Sequence, residues 1–293
     1  MLALIAGMGE LPPALIARLA DRPLVCAMDG FVPAVTPDVT FRIEHLGSFL
    51  ADMSSRGVTE VCMAGAVKRP PVDPAQIDAA TLPLVPRIQA AIAQGDDGAL
   101  RTIIAIFEEA GFAVKAAHEI APDLLPDAGV LTGGVITIDQ KQDAVVGEQT
   151  VAVMGQDDIG QACIIRNGRV LAREGKDGTD AMFTRLVPES DPVWAGVDLL
   201  GGALGAASEW LSGSDGDPVD LRGAILFKAP KPNQDRRADL PVIGPTTAEQ
   251  AVRVGLAGIV IEAGGVMVLE QDRTIATLQN AGVFLWVRPK GGA

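Results

Sequence analysis

Short apolar runs alternate with stretches of helical spacing along this chain. Residues 2–6 form a continuous apolar run that ends at Gly7-Met8-Gly9, and apolar positions near helical spacing follow over residues 11–19. That pattern predicts a strand, a glycine turn and a helix. Pro23 stops the helix, and residues 24–28 predict a second strand ahead of a loop over residues 29–38. Helical spacing returns at residues 48–54, and residues 61–64 read as a buried strand ending at Gly65. Residues 83–93 and 98–110 predict two further helices, the second preceded by Asp96-Asp97, whose charge suits a helix N-terminus. A short strand at residues 112–114 closes this half. Alternating strands and helices predict a parallel sheet with helices on its faces.

Prolines and glycines break the periodicity over residues 121–134, which places a domain boundary there. The fold class is therefore α/β: a Rossmann-like parallel-sheet domain over residues 1–130, then a second α/β domain over residues 131–293. In the second half, residues 163–165 and 170–172 flank Asn167-Gly168, a strong hairpin signal. A helix is expected after Thr179, with Asp180 in its first turn, and another over part of residues 198–211, before a polar loop at residues 213–217. Strands are expected at residues 224–227, 259–261, 266–269 and 283–287, with a helix capped by Thr246 or Thr247 between the first two.

Composition narrows the function. A chain of 293 residues fits two domains, and 48% hydrophobic content argues against long disordered tails. A net charge of −13 excludes the clustered positive surface that nucleic acid requires. An anionic membrane would repel the average surface, so peripheral contact with one would need a local apolar or basic patch. Cys26, Cys62 and Cys163 lie far apart, and His45 and His118 are the only histidines, so neither a disulfide framework nor a zinc site is indicated. The opening residues lack a basic region and are broken by Gly7, Gly9, Pro12 and Pro13, and no uncharged run reads as a membrane span. The expected location is cytoplasmic, with peripheral contact at the cytoplasmic face of the inner membrane as its extension.

Several segments carry candidate chemistry. The Gly7-Met8-Gly9 turn between a strand and a helix can present backbone N–H groups to a phosphate, although Pro12 stands where a dinucleotide fingerprint needs its third glycine. Residues 228–239 pack Lys228, Lys231, Arg236 and Arg237 with Asp235 and Asp239 into a proline-restricted loop of an otherwise acidic chain. Lys and Arg bind phosphate oxygens, and carboxylates offer the hard oxygen ligands that Mg²⁺ prefers. A solvated loop with self-neutralising charges is the competing explanation. Asp177-Gly178-Thr179-Asp180 can cap a helix or hold a metal-bound water. Asp158-Ile159-Gly160-Gln161, Glu262-Ala263-Gly264 and His118-Glu119 read equally as turn chemistry or as cleft lining.

In this order, IAGMGELP (5–12), AGAVKRP (64–70), GDDGALR (95–101), HE (118–119), DIGQA (158–162), EGKDGTDAM (174–182), KAPKPNQDRRADLPVIG (228–244) and GLAGIVIEAG (255–264) resemble the UDP-2,3-diacylglucosamine pyrophosphatase family, which replaces the metallophosphoesterase-type enzyme in some Gram-negative bacteria. The long C-terminal motif is the specific one. The resemblance implies a hydrolase of lipid A biosynthesis that cuts UDP-2,3-diacylglucosamine into UMP and 2,3-diacylglucosamine 1-phosphate (lipid X), with Mg²⁺, or Mn²⁺ in its place, as cofactor. It maps the family's essential aspartate onto Asp239 as the catalytic group, which either ligates the metal or orients the attacking water. Substrate contacts are expected from Gly7, Gly9, Glu10, Lys68, Gln161, Thr179, Asp180, Lys228, Lys231, Gln234 and Arg237. The diacylated nucleotide sugar is the expected partner, its acyl chains needing an apolar groove that the proline-rich domain boundary and residues 191–220 are expected to form. A nucleotide-dependent oxidoreductase, with Asp29 as ribose partner, and a non-catalytic lipid-binding protein are the alternatives.

Overall fold

The computed structural model describes residues 1–67, 70–92, 95–186, 220–232 and 234–292. The first half contains β1 (Leu2–Ala6), α1 (Leu11–Ile16), β2 (Leu24–Met28), β3 (Val39–Phe41), α2 (Leu46–Ser55), β4 (Glu60–Ala64), α3 (Val85–Ile92), α4 (Asp96–Glu109), β5 (Ala113–Lys115) and α5 (Ala117–Ile120). Its strands form one parallel sheet in the order β3-β2-β1-β4-β5. The order reverses between β1 and β4, and open α/β sheets bind ligands beyond the carboxyl ends of such a pair. One face of this sheet is covered by an aromatic cluster in which Phe41 stacks on Phe49 with ring centroids 3.9 Å apart and Phe107 bridges to Phe112. β3 was not expected from the sequence, because it is three residues long and only partly apolar. α1 ends at Ile16 rather than at residue 19.

The second half contains β6 (Gly129–Val130), α6 (Ile138–Gln156), β7 (Ala162–Arg166), β8 (Arg169–Arg173), α7 (Thr179–Leu186), β9 (Ile225–Lys228), β10 (Val242–Ile243), α8 (Pro245–Arg253), β11 (Gly258–Glu262), β12 (Met267–Val268), α9 (Gln271–Asn280) and β13 (Phe284–Arg288). Six strands form a mixed sheet in the order β6-β13-β11-β9-β7-β8. β9, β11 and β13 are parallel, and β6, β7 and β8 pair antiparallel with their neighbours. The molecule is thus mixed α/β with a parallel sheet first and a second sheet after it, as the alternation predicts.

The Asn167-Gly168 hairpin forms, with φ of 53° and 73° at the two turn residues. Its tip is held by the buried carboxylate of Asp143 on α6, which accepts from the N–H groups of Asn167 at 3.0 Å and Gly168 at 2.6 Å. In this half α6 and α9 were not expected from the sequence, as the short α5 was not in the first. α6 begins with a capping box in which Thr137 and Gln140 satisfy each other's backbone N–H. It presses so close to β9 that a Cβ on Gly147 would lie 2.5 Å from Cβ of Phe227. α8 is not capped by Thr246 or Thr247: it starts at Pro245 after Gly244, since proline is preorganised for a first helical position. The helix and loop expected over residues 198–211 and 213–217 lie outside the described residues.

The halves share buried surface. β10 and β12 pair as a small parallel sheet. Leu240, Met267 and Leu269 around it pack in one apolar cluster with Leu4, Leu11 and Leu15 of the first half. No helix among the described residues is long and apolar enough to cross a membrane.

Candidate active site

The glycine turn lies at the reversal point of the first sheet. Gly7 donates its N–H to the Ala64 carbonyl at 2.8 Å, and Met8 exchanges backbone hydrogen bonds with Ala66 at 2.9 Å in each direction. The turns after β1 and β4 are therefore laced together, which spends the Gly7 and Met8 N–H groups within the chain. A Cβ on Gly7 would meet the Gly65 and Ala66 backbone at 2.7 Å, so close approach of these two loops requires glycine. Gly9, at φ +95°, faces open space, and the exposed Glu10 precedes α1 without capping it. Lys68 lies outside the described residues.

The segment after β9 runs between the halves. Lys228 is the last residue of β9 and is buried, its Nζ donating to Oγ1 of Thr179 and to the Val242 carbonyl, both at 2.9 Å. Burial depresses its pKa, opposed by the nearby charges of Glu174, Asp180 and Asp239. Lys231 reaches across to the first half. Its Nζ donates to Asp97 at the start of α4 at 2.7 Å and to Asp158 beyond α6 at 2.5 Å. Burial works against that charge, but the bonds to Asp158 and Asp97 outweigh it and raise the Lys231 pKa. Arg237 makes a second tie: its guanidinium forks onto Asp235 at 3.0 and 2.8 Å and donates to Glu108 of α4 at 2.6 Å. The hydrogen bond from Arg237 holds the Asp235 carboxyl below its usual range.

Asp239 sits inside this framework. Its Oδ2 accepts from Nε2 of Gln234, which also donates to Oε1 of Gln161 at 3.1 Å. Oε1 of Gln234 accepts the Lys231 backbone N–H at 2.9 Å. Burial pushes the Asp239 pKa up, and Asp97 and Asp158 add to the rise, while Gln234 and the Lys231 charge oppose it. A half-buried carboxylate with a raised pKa, close to other carboxylates and one ammonium, is a candidate for acid–base chemistry.

The structure therefore gathers Gln161, Thr179, Lys228, Lys231, Gln234 and Asp239 into one hydrogen-bonded neighbourhood, with Asp180 exposed at its edge in the first turn of α7. Arg237 stands beside it, occupied with Asp235 and Glu108, and the glycine turn belongs to the β1–β4 end of the first sheet. Three members were not among the expected substrate contacts: Asp97, read only as suited to a helix N-terminus, Asp158, read as turn chemistry or cleft lining, and Glu174. Glu174 is buried and accepts from Oγ1 of Thr179 at 3.0 Å and the Gln161 N–H at 2.8 Å. Each lies in a segment that the sequence marks (GDDGALR, DIGQA and EGKDGTDAM), but only the fold shows that those segments converge.

Both halves of the chain match known protein families. The LpxI N-terminal domain family matches residues 1–124, and the LpxI C-terminal domain family matches residues 127–286. The UDP-2,3-diacylglucosamine pyrophosphatase LpxI of Caulobacter vibrioides is 33% identical over 290 residues, covering 97% of this chain and 96% of that protein.

Proposed function

The chain belongs to the LpxI family, and on that premise we propose that it hydrolyses the diphosphate of UDP-2,3-diacylglucosamine, releasing UMP and 2,3-diacylglucosamine 1-phosphate in lipid A biosynthesis. The observation that carries the reading is the half-buried Asp239, held by Gln234 where Lys231 ties Asp97 of one half to Asp158 of the other.

A diphosphate resists hydrolysis because its negative oxygens repel a nucleophile, and the chain must offset that charge while aiming a water. Gln234 occupies Oδ2 of Asp239, so Oδ1 is the oxygen to accept a hydrogen bond from the attacking water. Attack forms a new P–O bond as the bridging P–O bond breaks, and the water's proton leaves through the carboxylate. Lys231 is the cation best placed to turn from its two aspartates toward a phosphate oxygen. Lys228 and Arg237 act behind it, one fixing Thr179 and the other fixing Asp235 against α4.

Asp239, Asp97 and Asp158 offer the hard oxygen donors that suit Mg²⁺ or Mn²⁺. Among the described residues no group of three or more His, Cys, Asp or Glu side chains stands ready as a metal cluster. Mg²⁺ commonly takes one or two carboxylates together with waters and substrate phosphates, so this donor set fits it. When bound, the metal supplies positive charge that offsets the phosphate oxygens. The diacyl substrate brings the enzyme to the cytoplasmic face of the inner membrane in this reading. The acyl-contacting stretch proposed at residues 191–220 lies, but for Asp220, outside the described residues.

The test is UMP release from the diacylated UDP-sugar by the purified protein, with Mg²⁺ and after exhaustive chelation. Release that needs Mg²⁺ and returns on its addition is expected. Absence of UMP in all conditions overturns the activity, and full turnover after chelation overturns the metal requirement.

A further inference from the structure

We propose that Glu174 is a positioning residue for this reaction, fixing the Asp239 carboxylate through Gln161 and Gln234. The proposal rests on the reading of Asp239 given above, and goes beyond it in naming a residue that touches neither the proposed water nor the diphosphate.

Glu174 follows β8 directly and is 5% exposed. Its own N–H donates to the Ala162 carbonyl at 2.9 Å, which continues the β7–β8 pairing and fixes where the side chain begins. Gly160 packs against it so tightly that a Cβ there would lie 2.6 Å from the Glu174 carbonyl oxygen. Both carboxylate oxygens are engaged. Oε2 accepts the Gln161 N–H at 2.8 Å, and Oε1 accepts from Thr179 at 3.0 Å. The direction of the second bond is not free. Lys228 can only donate to Oγ1 of Thr179, so the hydroxyl proton has to point to Glu174.

Beyond Gln161 the chain of bonds has a single arrangement as well. Gln161 offers Oε1 to Nε2 of Gln234, and the other N–H of that nitrogen goes to Oδ2 of Asp239. The Gln234 carbonyl takes the Lys231 N–H at 2.9 Å. Rotating the Gln234 amide by half a turn would set donor against donor at Lys231 and acceptor against acceptor at Gln161 and Asp239. A buried network satisfied in only one way holds its members rigidly, and a partly satisfied one loses that property. Glu174 anchors the inner end: without its second acceptor oxygen, either Gln161 or Thr179 loses its partner.

The experiment uses the full chain and two substitutions, Glu174→Gln and Gln161→Met. The first keeps the shape of the side chain and removes one acceptor and the charge. The second leaves the backbone bond to Glu174 and removes only the acceptor for Gln234. Steady-state kinetics on the diacylated UDP-sugar are paired with the carboxyl ¹³C spectrum of the metal-free protein, in which the Asp239 signal is the one lost in Asp239→Asn. In both variants kcat should fall by about ten- to a hundredfold, the range seen when outer partners of a site are removed, with KM unchanged and the Asp239 signal displaced. Unchanged kcat, a rise confined to KM, or an Asp239 signal at its wild-type position overturns the proposal. If Glu174→Gln fails to fold, Glu174→Asp, which keeps the charge but shortens the reach to the Gln161 N–H and to Thr179, takes its place under the same criteria. A wild-type protein that releases no UMP defeats the proposed function, and the Asp239 signal then still decides whether Glu174 and Gln161 position that carboxylate.

Discussion

Gln234 donates its side-chain amide to Oδ2 of Asp239 while its carbonyl accepts the Lys231 N–H, so one glutamine sets both the acid and the backbone of the cation beside it. The arrangement draws a carboxylate partly out of water, that desolvation raises its pKa, and the fold carries it at a cost.

The cost has a pH signature. A raised folded pKa means that the native protein keeps this proton to higher pH than the unfolded chain, so stability falls as pH rises through the folded pKa. Asp239→Asn removes the charge and keeps an oxygen for Gln234. Without metal, this variant should melt above wild type at neutral pH. The gap should close as pH is lowered toward the ordinary Asp range of about 3.9. Thermal unfolding across that range is the check, and a variant that melts lower at neutral pH contradicts the assigned cost.

Lys231 joins Asp97 and Asp158 with its side chain only 10% exposed. Removing one member of such a group leaves the others uncompensated, which costs about 3 kcal/mol. Lys231→Met should therefore destabilise the protein by that order in urea unfolding. Adding Asp97→Asn should recover part of the loss, because it removes one of the two carboxylates left facing each other. Strictly additive losses in the double variant would show that Lys231 does not bridge the halves in solution.

Gly7 and Gly9 should respond differently to alanine. Gly7→Ala drives a Cβ into the Gly65 and Ala66 backbone, and overpacking of this kind costs about 1–3 kcal/mol. It should also separate the turns after β1 and β4. Gly9→Ala meets no neighbour within 4 Å, and its cost is that of a side chain at φ +95°, about 1–2 kcal/mol. Hydrogen exchange of Met8 and Ala66, which pair with each other, should accelerate in Gly7→Ala and hardly change in Gly9→Ala. Equal acceleration in both would undo the distinction.

The strands at the centre of both sheets were legible because each is a short apolar run bounded by glycine or proline, as in residues 2–6 before Gly7. The hairpin at Asn167-Gly168 was legible because its turn needs positive φ at both positions. α6 was not, since its apolar residues fall on both faces: Ala144 and Val151 are buried while Ile138 and Val153 are exposed. Its start was nonetheless marked by the Thr137–Gln140 capping box. The charge-dense segment 228–239 stands out in the sequence, and the fold places it between the two halves. The engagement of its charges was not readable. Lys231 finds Asp97 across 134 positions and Arg237 finds Glu108 across 129, and no local pattern encodes such partners. Lys228, expected in sequence as a substrate contact, is buried at the end of a central strand.

The most direct test of the account is Asp239→Ala, read as turnover and substrate affinity side by side, with Asp235→Ala as its companion. Asp235 serves to hold Arg237 and should cost less. If Asp239 acts on the transition state, Asp239→Ala should lose at least about a hundredfold in kcat while affinity for the diacylated UDP-sugar largely survives. A folded Asp239→Ala protein that turns over at near the wild-type rate would contradict the central claim.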